Sequence, residues 1–313
     1  MHPLTPAEYP HLKKFFNGQP HRLSIYSLPS IICWDTPVYR AVYRIFHDVL
    51  VIGSYCIPRP YENHLILPIA PKWDEPPEKI WKIARELGFP QYYFVPQEYV
   101  SRYGLEEENP WFVCTEQTEY EDYIYRTQDL IQLRGNRYAN KRNWISRFLK
   151  DNGDQCLLER ITASNTGECL DFLEEWCKFH DCGAHANENL VCEKHAAMTM
   201  LHHIKELDSE GLLVRIKGKV SAFAIRTTLS EEMANLTFEK AFPDIIGLYP
   251  FLDRECARDL FSNYSYINKE SDMGLPGLVQ SKESYHPVQR RKSYRLVLIP
   301  IIPANGNIFR SRV

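Results

Sequence analysis

No stretch of this 313-residue chain strings together the roughly 18 uncharged apolar residues that a membrane-crossing helix needs. The nearest approach, VYRAVYRIFHDVLVIGSY, is interrupted by Arg40, Arg44, His47 and Asp48, so no transmembrane segment is expected. The opening MHPLTPAEYPHLKKFF has none of the apolar core of a signal peptide. A soluble, cytoplasmic protein is the expectation. Nine cysteines contain no CxxC pair, and free thiols are expected rather than a disulfide framework. GxSxG, HExxH, a P-loop and the dinucleotide glycine fingerprint are all missing, which removes the commonest hydrolase, metalloprotease and nucleotide-binding readings. There is also little net charge: 37 Lys and Arg stand against 40 Asp and Glu. Binding to a nucleic acid would have to come from a local patch.

What is present is a folding composition, 44% hydrophobic and 25% charged, with length for one large or two ordinary domains. Residues 7–17, PPEKIWKIARELGF and the basic stretch within 127–151 read as helices, the second with proline at its start. LSIYS, DVLVIGSYCI, NHLILPI and QYYFVP read as strands. An acidic, turn-rich segment ends near residue 126, where a domain boundary is expected: residues 1–126, then 127–313 with a basic linker helix at 127–151. The second half orders as β-α-α-β-β-β-α-β-α-β, with GLLVRIKGKVSAFAIRTTL as a hairpin. This predicts a mixed α/β sheet with helices on both faces. The order suits the acetyltransferase-like fold.

Three stretches carry chemistry. RGNRYANKRNWISRFLK, residues 134–150, holds six cations and no acid. At about 100° per residue its apolar side chains gather on one side, and Arg134 and Lys141 project into that stripe. A buried cation needs a partner, either a carboxylate of the chain or a phosphate of a ligand. The second stretch is YSYINKESDMGLPGLVQSKESYHP. If YSYINKESD is extended, Tyr264, Tyr266, Asn268, Glu270 and Asp272 share a face. Lys282 and Tyr285 then fall on one helix face, and the group could hold a substrate ammonium and place a base beside it. An exposed turn with surface ion pairs is the plainer alternative. In the third, NLTFEKAFPDIIGLYP, Glu239 and Lys240 end a strand, where substrate-facing groups often sit in open α/β sheets. Cys177, His180, Cys182, His185, Cys192 and His195 cluster within nineteen residues, but their spacing is irregular and no metal site is expected.

DYIY, DLIQLRGNRYANKRNWISRF, FEKAFPDIIGLYP, YINKESDMGLPGL and SKESYHP together resemble the phosphatidylglycerol lysyltransferase C-terminal domain family over about residues 122–287. The resemblance implies two tandem acetyltransferase-like domains, as in the aminoacyl-tRNA-dependent ligases of peptidoglycan cross-bridges. It also implies acyl transfer from aminoacyl-tRNA, with no tightly bound cofactor, to an amine or hydroxyl acceptor such as a small molecule, peptide or lipid. The loop that holds the acetyl-CoA pyrophosphate in acetyltransferases is missing, and KAFPDIIGLYPF stands in its place. On this reading Glu270 or Asp272 binds the ammonium or acts as base. Lys240 or Lys282 steadies an oxyanion or the terminal phosphate, and Asn268, Glu239, Tyr249 and Tyr285 bind substrate. Arg134, Lys141 and Arg142 contact tRNA. The alternatives are an acyl-CoA-dependent N-acyltransferase, binding CoA at the start of the 246–261 helix, and a non-catalytic module that binds RNA or protein.

Overall fold

The computed structural model describes residues 1–46, 48–179 and 188–300, with the side chains of 188–190 left aside. In chain order these residues form β1 (His2–Pro3), α1 (Tyr9–Phe16), α2 (Leu28–Cys33), β2 (Tyr39–Phe46), β3 (Val49–Cys56), β4 (His64–Leu65), α3 (Pro77–Leu87), β5 (Gln91–Pro96), α4 (Gln97–Tyr103), β6 (Phe112–Glu116) and β7 (Asp122–Arg126). They continue with α5 (Thr127–Gln132), α6 (Ala139–Asn152), β8 (Cys156–Arg160), α7 (Thr166–Phe179), α8 (Glu188–His203), β9 (Glu210–Ile216), β10 (Lys219–Thr228) and β11 (Met233–Ala241). Last come α9 (Leu248–Asp259), β12 (Tyr266–Asn268), α10 (Pro276–Glu283), β13 (Gln289–Arg291) and β14 (Ser293–Leu298).

Local chemistry accounts for most of these boundaries. Pro77 opens α3, and Gly88 closes it at φ 75, where a side chain would be strained. Lys217 and Gly218, both at positive φ, turn β9 into β10 as a two-residue hairpin. Residues 23–27 differ from expectation. LSIYS forms a 3-10 turn at Ser24–Tyr26 leading into α2, because Pro29 in the first helical turn preorganises a helix.

The strands make two seven-stranded mixed sheets, in the orders β1-β2-β3-β4-β5-β14-β6 and β13-β7-β12-β11-β10-β9-β8. Each contains an antiparallel run followed by one parallel pair joined through a helix: β4 and β5 through α3, β11 and β12 through α9. This is the tandem acetyltransferase-like arrangement. A cut at residue 126 does not separate the sheets, however. β7 precedes that point and pairs with β12 and β13 in the second sheet, while β14 returns from the far end of the chain to lie between β5 and β6 in the first. Each sheet therefore takes a strand from the other half. The two crossings run side by side, with the Gln117 amide donating to the Ser293 carbonyl at 2.8 Å.

Alternation along the second sheet divides its burial. Leu212, Val214, Ala222 and Ala224 pack with α5, α6 and α9; Leu213, Phe223, Ile225 and Phe238 belong to a core continuous with the first sheet. Polar pairs stitch the sheets where they meet. Ser27 donates to Thr227 at 3.0 Å, and Asn235 donates to the Ser24 carbonyl at 2.9 Å. No helix among the described residues is long and apolar enough to cross a membrane.

Candidate active site

A cleft of about 1110 Å³ opens where the two sheets meet, lined by residues of both. Its charged centre is built from β11, α9 and the segment after β12. Lys269 is buried against Asp253, on the second turn of α9, and lies 3.3 Å from Glu239 on β11. Burial works to discharge Lys269, but Asp253 and Glu239 outweigh it and hold the ammonium well above its ordinary pKa. The same burial, with Asp253 beside it, pushes the Glu239 carboxyl upward. Glu239 Oε2 faces Lys269, whereas Oε1 is buried without a hydrogen-bond partner among the described residues. An unpaired buried carboxylate oxygen is costly, so the atom is poised to take an N–H or O–H from a ligand.

Around this centre the predicted residues separate. Glu239, Lys240, Tyr249, Glu270, Lys282, Tyr285 and Lys141 line the cleft. Asn268 and Asp272 are buried behind it: Asn268 donates to Asp122 at 2.8 Å, and Asp272 accepts from the Tyr123 hydroxyl at 2.5 Å and the Gly274 amide at 2.8 Å. The expected extended face is not formed. β12 ends at Asn268, Glu270 takes φ 59 and Met273 φ 52, so the alternation of a strand does not reach Asp272. Lys282 and Tyr285 do not share a helix either, since α10 ends at Glu283. The three N–H bonds of Lys282 go to the carbonyls of Lys269, Glu270 and Ser271, at 2.6, 3.1 and 2.5 Å. That ammonium shapes the turn carrying Glu270 and has no donor left for an oxyanion. Lys240 donates to Glu193 at 2.5 Å and lies 4.3 Å from the centre of the Trp176 ring. Burial, reinforced by Asp122, raises the Glu270 carboxyl toward its neutral form.

The basic segment behaves differently from a single helix. Leu133 and Gly135 adopt φ of 48 and 89, which ends α5 and starts α6 afresh after a turn. Arg134 lies in that break and is exposed rather than on the apolar stripe. Arg142 donates to the carbonyls of Leu133 and Gly135, at 2.5 and 2.8 Å, and clips the break together. Lys141 is buried as predicted, and its near partners are aromatic rings rather than a carboxylate. Its ammonium sits 3.7 Å from the Tyr285 ring centre and 5.3 Å from that of Trp144, and burial pulls its pKa down to about 8. Lys141 and Trp144 also line a smaller recess with Arg137, Asn140, Ser284 and His286, so the basic segment borders the cleft from outside.

Lys269, Asp253, Asp122 and Glu193 were not singled out from the sequence. Alternation counted from Asn268 places Lys269 on the opposite side, and nothing in DRECARD on α9 separates Asp253 from the other charges there. Asp122 accepts from the Ser24 amide and hydroxyl, at 2.6 and 2.9 Å, and also from Asn268, so it joins the two halves where it lines the cleft. The start of α9 is poor in free donors. Pro250 has no N–H, the Leu248 amide bonds to the Ile245 carbonyl, and the Phe251 amide bonds to that of Gly247. Among the described residues no group of three His, Cys, Asp or Glu is placed to hold a metal; His180, Cys182 and His185 lie outside them.

A tandem fold of this kind around a cleft of carboxylates and lysines is acyltransferase-like. Residues 63–297 match the family described as phosphatidylglycerol lysyltransferase, C-terminal, and the chain belongs to that family. Among solved structures, a conserved protein of unknown function from Bacteroides thetaiotaomicron is 26% identical. It has a TM-score of 0.83, and the match covers 94% of this chain and 98% of that one. The C-terminal domain of a putative lysylphosphatidylglycerol synthetase from Agrobacterium fabrum is 15% identical, with TM-score 0.64 and coverage of 93% and 92%. The L-PGS of Bacillus licheniformis is 13% identical, with TM-score 0.64 and coverage of 95% and 92%. The last two likenesses bear on fold alone. No curated protein matches the chain in sequence.

Proposed function

We propose that the protein transfers an aminoacyl group from aminoacyl-tRNA to an amine or hydroxyl held in the cleft. The observation that carries this reading is Glu239 Oε1, a buried carboxylate oxygen without a partner, beside the Lys269–Asp253 pair and in the same cleft as Glu270. A substrate ammonium satisfies that oxygen. The aminoacyl ester is already activated, so the protein orients the reactants and moves a proton. The acceptor nitrogen or oxygen attacks the ester carbonyl and forms the new amide or ester bond. The bond to the ribose oxygen breaks. The proton leaving the nucleophile passes to the Glu270 carboxylate and returns to the departing ribose oxygen. Raised toward neutrality by burial, Glu270 is suited to both exchanges.

Two further features favour tRNA over acyl-CoA as donor. Exposed Arg137 borders the recess, exposed Arg147 and Lys150 continue along α6, and exposed Arg134 lies in the turn before it, a cationic approach of the kind phosphates bind. At the start of α9, a single amide, that of Tyr249, remains for a pyrophosphate in the first turn.

The test supplies total radiolabelled aminoacyl-tRNA, and separately acetyl-CoA, with fractionated cell extract. Aminoacyl label is expected to leave the tRNA, and Glu239→Gln or Glu270→Gln slows it by about 100-fold or more with the melting temperature held. Movement of acetyl label alone refutes the donor. Salt-sensitive RNA binding without any transfer makes the protein a binding module.

A further inference from the structure

At its other end the cleft leaves the carboxylates and enters the first sheet. Tyr93 and Phe94, neighbours on β5, both line it. Consecutive strand residues ordinarily face opposite sides. Here β5 is bulged: Val95 pairs with Tyr294 and Tyr92 with Leu296, so Tyr93 and Phe94 together stand against Arg295 alone. Phe94 adopts φ 55, a left-handed conformation rarely taken by a bulky residue. Its backbone is pinned there, the amide donating to Gln117 Oε1 at 2.9 Å and the carbonyl accepting from the Tyr26 hydroxyl at 3.1 Å. Strain held in place by its surroundings is a mark of functional sites. The rings so gathered are ordered. Tyr120 meets Phe94 edge-on with centres 5.1 Å apart, and His64 stacks on Tyr93 at 4.3 Å and 10°.

His64 is the polar group of this wall. Its Nδ1 lies 2.8 Å from the Glu62 carbonyl. A carbonyl only accepts, so Nδ1 carries the proton and Nε2 keeps its lone pair. No partner for Nε2 exists among the described residues, although the residue is buried and lines the cleft. Burial also keeps the ring neutral, drawing its pKa down to about 4.

We infer that this end of the cleft seats the acceptor substrate, an amine or alcohol carried on an aromatic ring, with the ring against Tyr93, Phe94 and Tyr120, a second N–H or O–H on that ring donated to His64 Nε2, and the reacting amine or hydroxyl left free for the carboxylate end. That the ligand is the acceptor rests on the transfer reading; the aromatic seat itself does not. Aromatic faces and edges take a planar ring in offset or edge-on contact, and one fixed lone pair selects for a donor on it.

The seat is tested by calorimetric titration with tyramine. 4-Methylanisole, which has no N–H or O–H, and ethanolamine, which has no ring, serve as comparisons. Tyramine is expected to bind saturably, and each comparison compound about tenfold more weakly or worse. His64→Asn keeps a donor for the Glu62 carbonyl and lacks the far nitrogen; it is expected to weaken tyramine about five- to tenfold. His64→Gln, whose amide oxygen reaches farther, restores part of that loss. Phe94→Gly takes φ 55 without strain, so it folds while removing one ring, and it too is expected to bind more weakly. Failure of tyramine to saturate, equal binding of 4-methylanisole, or unchanged affinity in His64→Asn overturns the seat. Transfer from aminoacyl-tRNA is measured separately. Binding without transfer removes the reaction and keeps the seat; transfer without binding does the reverse.

Discussion

Replacing Lys269 with methionine isolates the charged centre of the cleft. The substitution conserves most of the side-chain volume and removes one ammonium. Lys269, Asp253 and Glu239 have side-chain exposures of 8%, 6% and 16%, so the change leaves two carboxylates facing one another with little water. Breaking a buried pair from one side costs about 3–5 kcal/mol. In a chain this long each kcal/mol moves the melting temperature by about 2 °C, so a fall of roughly 6–10 °C is expected by calorimetry. The deficit also has a predictable pH dependence. Glu239 is raised already in the parent, by burial and by Asp253 beside it, and losing the Lys269 ammonium removes what opposed that rise. A group raised in this way contributes stability below its unfolded pKa and loses it as pH rises through the folded value. The deficit should therefore shrink toward pH 5 and grow toward pH 8. Adding Asp253→Asn and Glu239→Gln to the variant should recover much of the loss, since no uncompensated charge remains. A deficit below about 1 kcal/mol, or one flat between pH 5 and 8, refutes the description of this centre as a buried triad.

Lys141→Met removes a cation that burial disfavours, so at pH 7 the variant is expected to be about 1–2 kcal/mol more stable, the gap closing as pH rises from about 8 to about 10, with denaturant titration as the measure. Gly247→Ala sets a methyl 2.2 Å from the Trp144 carbonyl at a φ of 84, and a loss of about 2–4 kcal/mol is expected in the same assay. Arg142→Ala frees the Leu133 and Gly135 carbonyls and should cost about 1 kcal/mol at this exposed site; Arg142→Lys should recover only part, which thermal melts can resolve.

Legibility in the sequence followed how far each signal depends on neighbours in space. The hairpin at Lys217–Gly218 and the α3 helix are local and were readable. Lys141 was readable as buried because α6 is regular from Ala139 onward. Arg134 was misplaced because a wheel cannot see that Leu133 takes a left-handed turn. Lys269 was passed over for a related reason: alternation carried beyond Asn268 assigns sides that the chain abandons at Glu270. QYYFVP reads as an ordinary strand, and its bulge exists only because β14 pairs with it out of step. Nor does YRLVLIP say which sheet will receive it, since any half-filled sheet edge accepts such a strand.

The exchange of strands sets an order on folding as the chain is made. β5 and β6 are not neighbours in the first sheet; β14 lies between them, and Lys292 meets Glu116 across 176 residues of chain. Until that strand emerges, the first half holds an open slot with two exposed edges. Pairing across such a distance is slow, and unfilled edges invite the wrong partner. The nascent chain should accordingly be a client of chaperones through most of its synthesis, with its last stages of folding reporting on both halves at once.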